Sequence, residues 1–171
     1  MKTLLKLSLA ATAVITAFGA QAQEFPSKDK TVTLVVPYAA GGPTDRVARD
    51  LAEALRKPLG VSVVVDNAAG AGSTIGTAKA ARATPDGYTL LLNHISMSTM
   101  PTMYRKLAFN VVNDFEYLGI INDVPMTLIA KPSMAANNYK ELSTWINQNK
   151  GKINLGNAGQ GSASHLCGLM F

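Results

Sequence analysis

The chain is poor in cysteine, histidine and charge. Cys167 is its only cysteine, so no disulfide can form within the chain and its stability rests on an apolar core. Its two histidines, His94 and His165, are far apart, with no cysteine or carboxylate cluster beside either. Metal ligation and general-base chemistry need such neighbours, so no metal and no catalytic base are expected. Charged residues make up 16% of the chain and leave a net charge of +5. They form no basic cluster, which argues against nucleic acid as a partner. Past the N-terminal region, no apolar run approaches the ~20 residues that cross a bilayer.

The N-terminal region differs from the rest. Lys2 and Lys6 precede the apolar run Leu7–Phe18, broken only by Ser8, Thr12 and Thr16, and Ala20-Gln21-Ala22 follows. A basic start, a short apolar stretch and a small-x-small site are the marks of a secretory signal peptide. Residues 1–22 are therefore expected to be removed near Ala22, giving an exported chain of 149 residues from Gln23 with a net charge of +3. That length suits one ordinary domain. Its mild positive charge favours small anions.

The organising stretch is Thr31–Asp50. Thr31–Val36 reads as a buried strand. Tyr38-Ala39-Ala40-Gly41-Gly42 follows, small enough to bring backbone N–H groups close to a ligand. Pro43 then suits the first position of a helix, and Asp45 places a negative charge in its first turn. Strand, glycine loop and helix N-terminus together favour an anion. Asp45 would repel a carboxylate in direct contact, so its simpler role is to complement the helix dipole; its sharper one is to hold a water or a ligand ammonium.

Over residues 44–57, Val47, Ala48, Leu51, Ala52 and Leu55 share one face, predicting an amphipathic helix that Pro58 and Gly60 stop. Val61–Val65 is a second strand, followed by a second glycine loop, Asp66–Ser73, and a helix over about 74–82. Pro85-Asp86-Gly87 is a turn and Tyr88–Leu92 a third strand. Successive βαβ units predict a parallel sheet with right-handed crossovers. The polar stretch 93–99 follows, with a helical turn expected over 101–104. Further strands are predicted at Phe115–Ile121, Met126–Ala130 and Ile153–Leu155. A helix is expected over 139–149, capped by Asn138, with Tyr139, Leu142, Trp145 and Ile146 inward. Gly156–Ser162 is a third glycine loop, and its helix runs from about Ala163 to Phe171. An apolar, uncapped end there reads as the front part of a longer protein.

Several sharper readings fail on spacing. Gly70-x-Gly72-x-x-x-Gly76 has one residue too many for a dinucleotide fingerprint, so no nicotinamide cofactor is expected. Ser162 near His165 lacks the G-x-S-x-G elbow of a nucleophile. Cys167, beside Leu166 on a helix face, reads as a packed residue.

Four groups of residues together resemble a known family. They are VVPYAAGGPTD at 35–45, VVVDN at 63–67 with Gly70-Ala71-Gly72, PDGYTLL at 85–91, and GQGSASHL at 159–166. The set resembles the tripartite tricarboxylate transporter substrate-binding proteins, also called the Bug family, along the whole of the chain after residue 22. Phe109-Asn110-Val111 departs from the family's usual Tyr-Asp-Pro, and Leu169 stands where an acidic residue is common. The resemblance implies a periplasmic, two-lobed α/β receptor for a small carboxylate. Such a receptor has parallel-sheet lobes with flanking helices, no cofactor, and membrane permease subunits as partners. It further implies a first lobe over 23–125, lacking returning strands, and the start of a second over 126–171.

By position, Tyr38, Ala39, Gly41, Gly42, Pro43, Thr44 and Asp45 would form the main carboxylate-holding loop. Ala69, Gly70, Gly72 and Ser73, with Asn93, His94 and Ser96, would line the same lobe. Asn157, Ala158, Gly159, Gly161 and Ser162 would close from the second. The resemblance implies a receptor rather than an enzyme. The rivals are a sensor's ligand-binding partner and an exported hydrolase using the glycine loops as an oxyanion site. Since such receptors close two lobes on a ligand, the 171 residues alone are expected to be non-functional, binding carboxylate no tighter than millimolar.

Overall fold

The computed structural model describes residues 25–171. The signal peptide assigned to residues 1–22 lies outside the described residues. Three parallel strands, β1 (Val32–Val36), β2 (Val63–Asn67) and β3 (Thr89–Leu91), form a sheet in the order β2-β1-β3. Helix α1 (Pro43–Leu59) links β1 to β2. A 3-10 turn (Ala71–Ser73) and helix α2 (Thr74–Ala81) lead to β3, and α3 (Ser96–Met103) follows it. Two more helices, α4 (Tyr139–Gln148) and α5 (Ala163–Met170), complete the elements.

The strand order explains where the helices lie. One crossover runs from β1 to β2 and the next returns past β1 to β3. Right-handed crossovers in opposite directions put their helices on opposite faces. Accordingly Val32, Leu34 and Val36 pack with Ala48 and Ala52 of α1. Ala78 of α2 packs with Met100 and Phe109 in a separate cluster. Val32, Leu34, Val35, Val36 and Val63 are all buried, as a strand covered on both faces requires.

Gly76 sets the spacing between α2 and the sheet. A Cβ there would lie 2.6 Å from the Ala68 carbonyl oxygen and 2.8 Å from Pro37. Between α1 and β2, Gly60 at φ +67° ends α1, its N–H donating to the Arg56 carbonyl at 2.9 Å. Pro58 does not stop the helix as expected. It lies in the last turn, where its missing N–H removes a single bond.

Strand β2 begins two residues later than its apolar pattern suggests. Val63 pairs with Val32, and Asp66 and Asn67 lie opposite Val35 and Val36. Pairing with β1, rather than local propensity, sets its ends. The polar stretch after β3 becomes helical from Ser96, earlier than expected, and continues through Pro101.

Three predicted strands are absent. Residues 115–121, 126–130 and 153–155 form no ladder, and Leu118 and Ile129 are 82% and 88% exposed. Their apolar runs favour extended backbone. A strand also needs a neighbour to take its N–H and C=O groups, and none of the described residues supplies one. Asn138 caps α4 as expected, its Oδ1 accepting the Glu141 N–H at 3.0 Å. Leu142, Trp145 and Ile146 are half-buried. Tyr139, expected inward, is exposed, edge-on to the Phe171 ring. Among the described residues, no helix is long and apolar enough to cross a membrane.

Candidate functional site

In an open parallel sheet, a crevice forms outside the carboxyl ends of the strands, where successive crossovers diverge. Here that point lies between β1 and β3. The chain leaves β1 into Tyr38 and leaves β3 into Asn93–Ser96, and these two segments meet. The Tyr38 and His94 rings stack at 4.3 Å and 15°. The Tyr38 hydroxyl lies 2.7 Å from Ser96 Oγ, 3.1 Å from Asn93 Oδ1 and 3.3 Å from His94 Nδ1. Burial pushes the Tyr38 phenol above its ordinary pKa and His94 below its own, so both stay neutral near pH 7.

Buried hydroxyls hold this pair from beneath. Ser73 Oγ donates to Ser96 Oγ at 3.0 Å, and Ser96 Oγ donates to Asn93 Oδ1 at 2.7 Å. The Asn93 amide donates to Thr77 Oγ1 at 3.0 Å, and Thr77 in turn donates to the Ser73 carbonyl at 2.9 Å. Ser73, Thr77 and Ser96 are buried, and a fully bonded network of this kind is rigid. Asn67, at the end of β2, donates to the Tyr38 carbonyl at 3.1 Å.

The first glycine loop differs from its expected form. Gly41, at φ +82°, takes a conformation that only glycine adopts readily. Its N–H donates to Asp45 Oδ2 at 2.8 Å instead of facing outward. Arg49 Nε donates to the same oxygen at 2.9 Å. These two bonds, Arg49's first, hold the Asp45 carboxyl at a pKa of about 2. Asp45 is 3% exposed, and its Oδ1 is buried without a partner among the described residues. Complementing the helix dipole thus describes Asp45 only in part, because it also closes the loop on itself. Among the described residues, no protein acceptor takes the N–H of Ala39, Ala40 or Gly42.

The third loop docks against the second. Thr99 donates to the Gly161 carbonyl at 2.7 Å and Tyr104 to the Gln160 carbonyl at 3.0 Å. Gln160 Nε2 donates to the Met103 carbonyl at 3.3 Å. A Cβ on Gly159 would lie 3.0 Å from Gly72 Cα, and one on Gly72 2.6 Å from the Gln160 carbonyl oxygen. Ser162, which is buried, caps α5 by accepting the His165 backbone N–H at 3.2 Å. The His165 ring accepts from the Gly161 N–H at 3.3 Å rather than bonding Ser162.

The structure thus joins Tyr38, Asn93, His94, Ser96 and Ser73 directly, and Gly72 with Gly159. It ties Gly41 to Asp45. Asn157 and Ala158 are exposed and bonded within their own loop region, to Gly159 and Ser164. Pro43 is exposed and Thr44 half-buried in the first turn of α1; Ala69 and Gly70 are exposed. Sequence reasoning missed Thr77, Thr99 and Tyr104, and it placed Asn67 and Gln160 in the glycine loops without giving their side chains a role. For Thr77 a signal existed: it stands one turn after Ser73 in a helix of small residues. Among the described residues, no group of three or more His, Cys, Asp or Glu could hold a metal ion.

Residues 47–171 match the family model for the tripartite tricarboxylate transporter family receptor. A protein from the ttuE–ttuC' intergenic region of Agrobacterium vitis is 42% identical over 161 residues, 94% of this chain and 46% of that protein. The solved structure of the periplasmic binding protein BugD is 52% identical with a TM-score of 0.81, over 84% of this chain and 48% of that one. MatC from Rhodopseudomonas palustris, solved with bound malate, is 33% identical with a TM-score of 0.78, over 85% and 49%. The chain spans about half the length of the relatives it matches. By its sequence over residues 47–171 and its parallel α/β architecture, the chain belongs to the tripartite tricarboxylate transporter receptor family.

Proposed function

We propose that this chain carries the carboxylate-holding loops of an exported, periplasmic solute receptor. The receptor would pass its ligand to the permease of a tripartite tricarboxylate transporter and catalyse no reaction. The observation that carries the reading is the meeting of Tyr38, His94 and Ser96 at the β1/β3 divergence, beside the N–H groups of Ala39, Ala40 and Gly42. Backbone donors near a helix N-terminus suit a carboxylate. The bound malate of MatC agrees with that chemistry. Gly159, Gly161 and Ser162 would face the ligand from a second lobe beginning near residue 126. Removal of residues 1–22 would follow export.

The contacts come from one sheet edge and a single docked loop. Affinity for the 171-residue chain is therefore expected near the millimolar range, about 4 kcal/mol. The test is thermal unfolding of the chain with malate, adipate or citrate at millimolar concentration, against sodium chloride at matched ionic strength. A ligand that binds the folded state raises the unfolding temperature by mass action. A rise with at least one carboxylate beyond the salt control supports the reading, and identical curves for all of them contradict it.

A further inference from the structure

Backbone hydrogen bonds leave β1 in a fixed alternation. The Val32 N–H donates to the Ser62 carbonyl and the Ala68 N–H to the Val36 carbonyl, so even-numbered residues face β2. The Thr33 N–H donates to the Tyr88 carbonyl and the Leu92 N–H to the Val35 carbonyl, so odd-numbered ones face β3. The Ala68–Val36 bond is the last backbone rung on the β2 side among the described residues.

Asn67 adds one more rung with its side chain. Its Nδ2 donates to the Tyr38 carbonyl at 3.1 Å. Tyr38, an even-numbered residue, therefore keeps its carbonyl on the β2 side although the chain bends there. The orientation of the amide follows, because Oδ1 only accepts and would repel that carbonyl. No other donor among the described residues reaches the Tyr38 carbonyl.

The consequence falls on the next residue. The Tyr38–Ala39 peptide is trans, and in a planar trans peptide the C=O and N–H point in opposite directions. A carbonyl held towards β2 turns the Ala39 N–H towards the β3 side. That is the side on which Asn93–Ser96 leave the sheet and the Tyr38 ring meets His94. Ala39 is exposed, and its N–H has no protein acceptor among the described residues. A peptide turned the other way would present its carbonyl oxygen there, which repels an anion.

We propose that Asn67 is a positioning residue of this site: by holding the Tyr38 carbonyl on the β2 side, it aims the Ala39 N–H into the crevice, where that N–H donates to a ligand carboxylate. The ligand half of this proposal rests on the receptor reading above; the peptide orientation does not. Asn67 acts through the Ala39 peptide rather than on the ligand.

The orientation is read without ligand. In the 13C,15N-labelled 171-residue chain, scalar coupling across a hydrogen bond should connect Asn67 Nδ2 to the Tyr38 carbonyl carbon. The Lys30 N–H bond to the Ser27 carbonyl, also 3.1 Å, is the reference in the same spectrum. Coupling at Lys30 with none at Asn67 overturns the proposal, whatever any variant does.

The ligand half is read by titrating malate into Asn67→Leu, which keeps most of the volume and removes the donor. Asn138→Ala is the control, since it removes another asparagine bonded to backbone, at the start of α4. Asn67→Leu is expected to bind malate about tenfold more weakly and to lose the malate-induced shift of the Ala39 amide. Asn138→Ala should keep both the affinity and the shift, which separates positioning from a general loss of stability. Unchanged affinity and an unchanged Ala39 shift in Asn67→Leu overturn the ligand half while leaving the receptor reading in place. Failure of the unsubstituted chain to bind malate, adipate or citrate counts against the receptor reading instead, and the coupling then decides the orientation.

Discussion

Replacing Gly72 with alanine tests how the third glycine loop is held. Gly72 has φ +57°, and its added Cβ would collide with the Tyr104 hydroxyl and lie 2.6 Å from the Gln160 carbonyl oxygen. The tyrosine tip can swing aside. The Gln160 carbonyl is backbone, so the 157–162 loop itself must move. A left-handed conformation costs a residue with a Cβ about 1–2 kcal/mol, and losing the Tyr104 bond to Gln160 adds roughly 1 kcal/mol. The expected destabilisation is thus about 2–3 kcal/mol, or a fall of roughly 1 M in the urea midpoint. Tyr104→Phe removes the bond but leaves the space, and should cost only about 1 kcal/mol. Both are read by urea unfolding followed by circular dichroism. A Gly72→Ala midpoint within about 0.5 kcal/mol of the unsubstituted chain, or equal to that of Tyr104→Phe, would refute the argument that backbone contact fixes the loop.

Neighbouring glycines should respond differently. Gly41, at φ +82°, donates to Asp45, whereas Gly42 has φ −80°, which any residue adopts, and its would-be Cβ meets Ala39 O at an ordinary contact distance of 3.4 Å. Gly41→Val should therefore lower the thermal midpoint by several degrees, for a loss of about 1–2 kcal/mol, while Gly42→Val shifts it little; the reverse order in calorimetry would contradict the loop geometry. Asp45 has its folded pKa lowered from 3.8 to about 2, so its contribution is present above about pH 4 and is lost as pH falls through about 2. Asp45→Asn should flatten the dependence of stability on pH across that interval; equal slopes for the two chains in acid unfolding would refute it.

What was legible in the sequence is what local chemistry decides. Alternation of β-branched runs, glycine loops and the α1 stripe was enough for the parallel α/β core, and Asn138 marked its helix by capping chemistry. Partners far along the chain were not legible. Leu118, Ile120 and Ile129 have the composition of strand residues, but a ladder exists only where a second segment supplies it. The same limit applies in the site. Tyr38, His94 and Ser96 could each be suspected. Their contacts depend on strand order, which brings segments 55 to 58 positions apart to one point. Asp45 is a local case by contrast: an acidic side chain in the third helical position can reach back to a backbone N–H at the helix start, and here it takes the N–H of Gly41.

The central claim is that the β1/β3 divergence holds a carboxylate. The direct measurement is an amide 1H–15N spectrum of the labelled 171-residue chain titrated with malate at constant pH and ionic strength. The account predicts saturable shifts concentrated at Ala39, Ala40, Gly42 and Asn93–Ser96, with a dissociation constant on the order of millimolar. Saturable shifts centred instead on the open groove along α4, at Asn138, Glu141 and Trp145, or no shifts beyond those of sodium chloride, would contradict it.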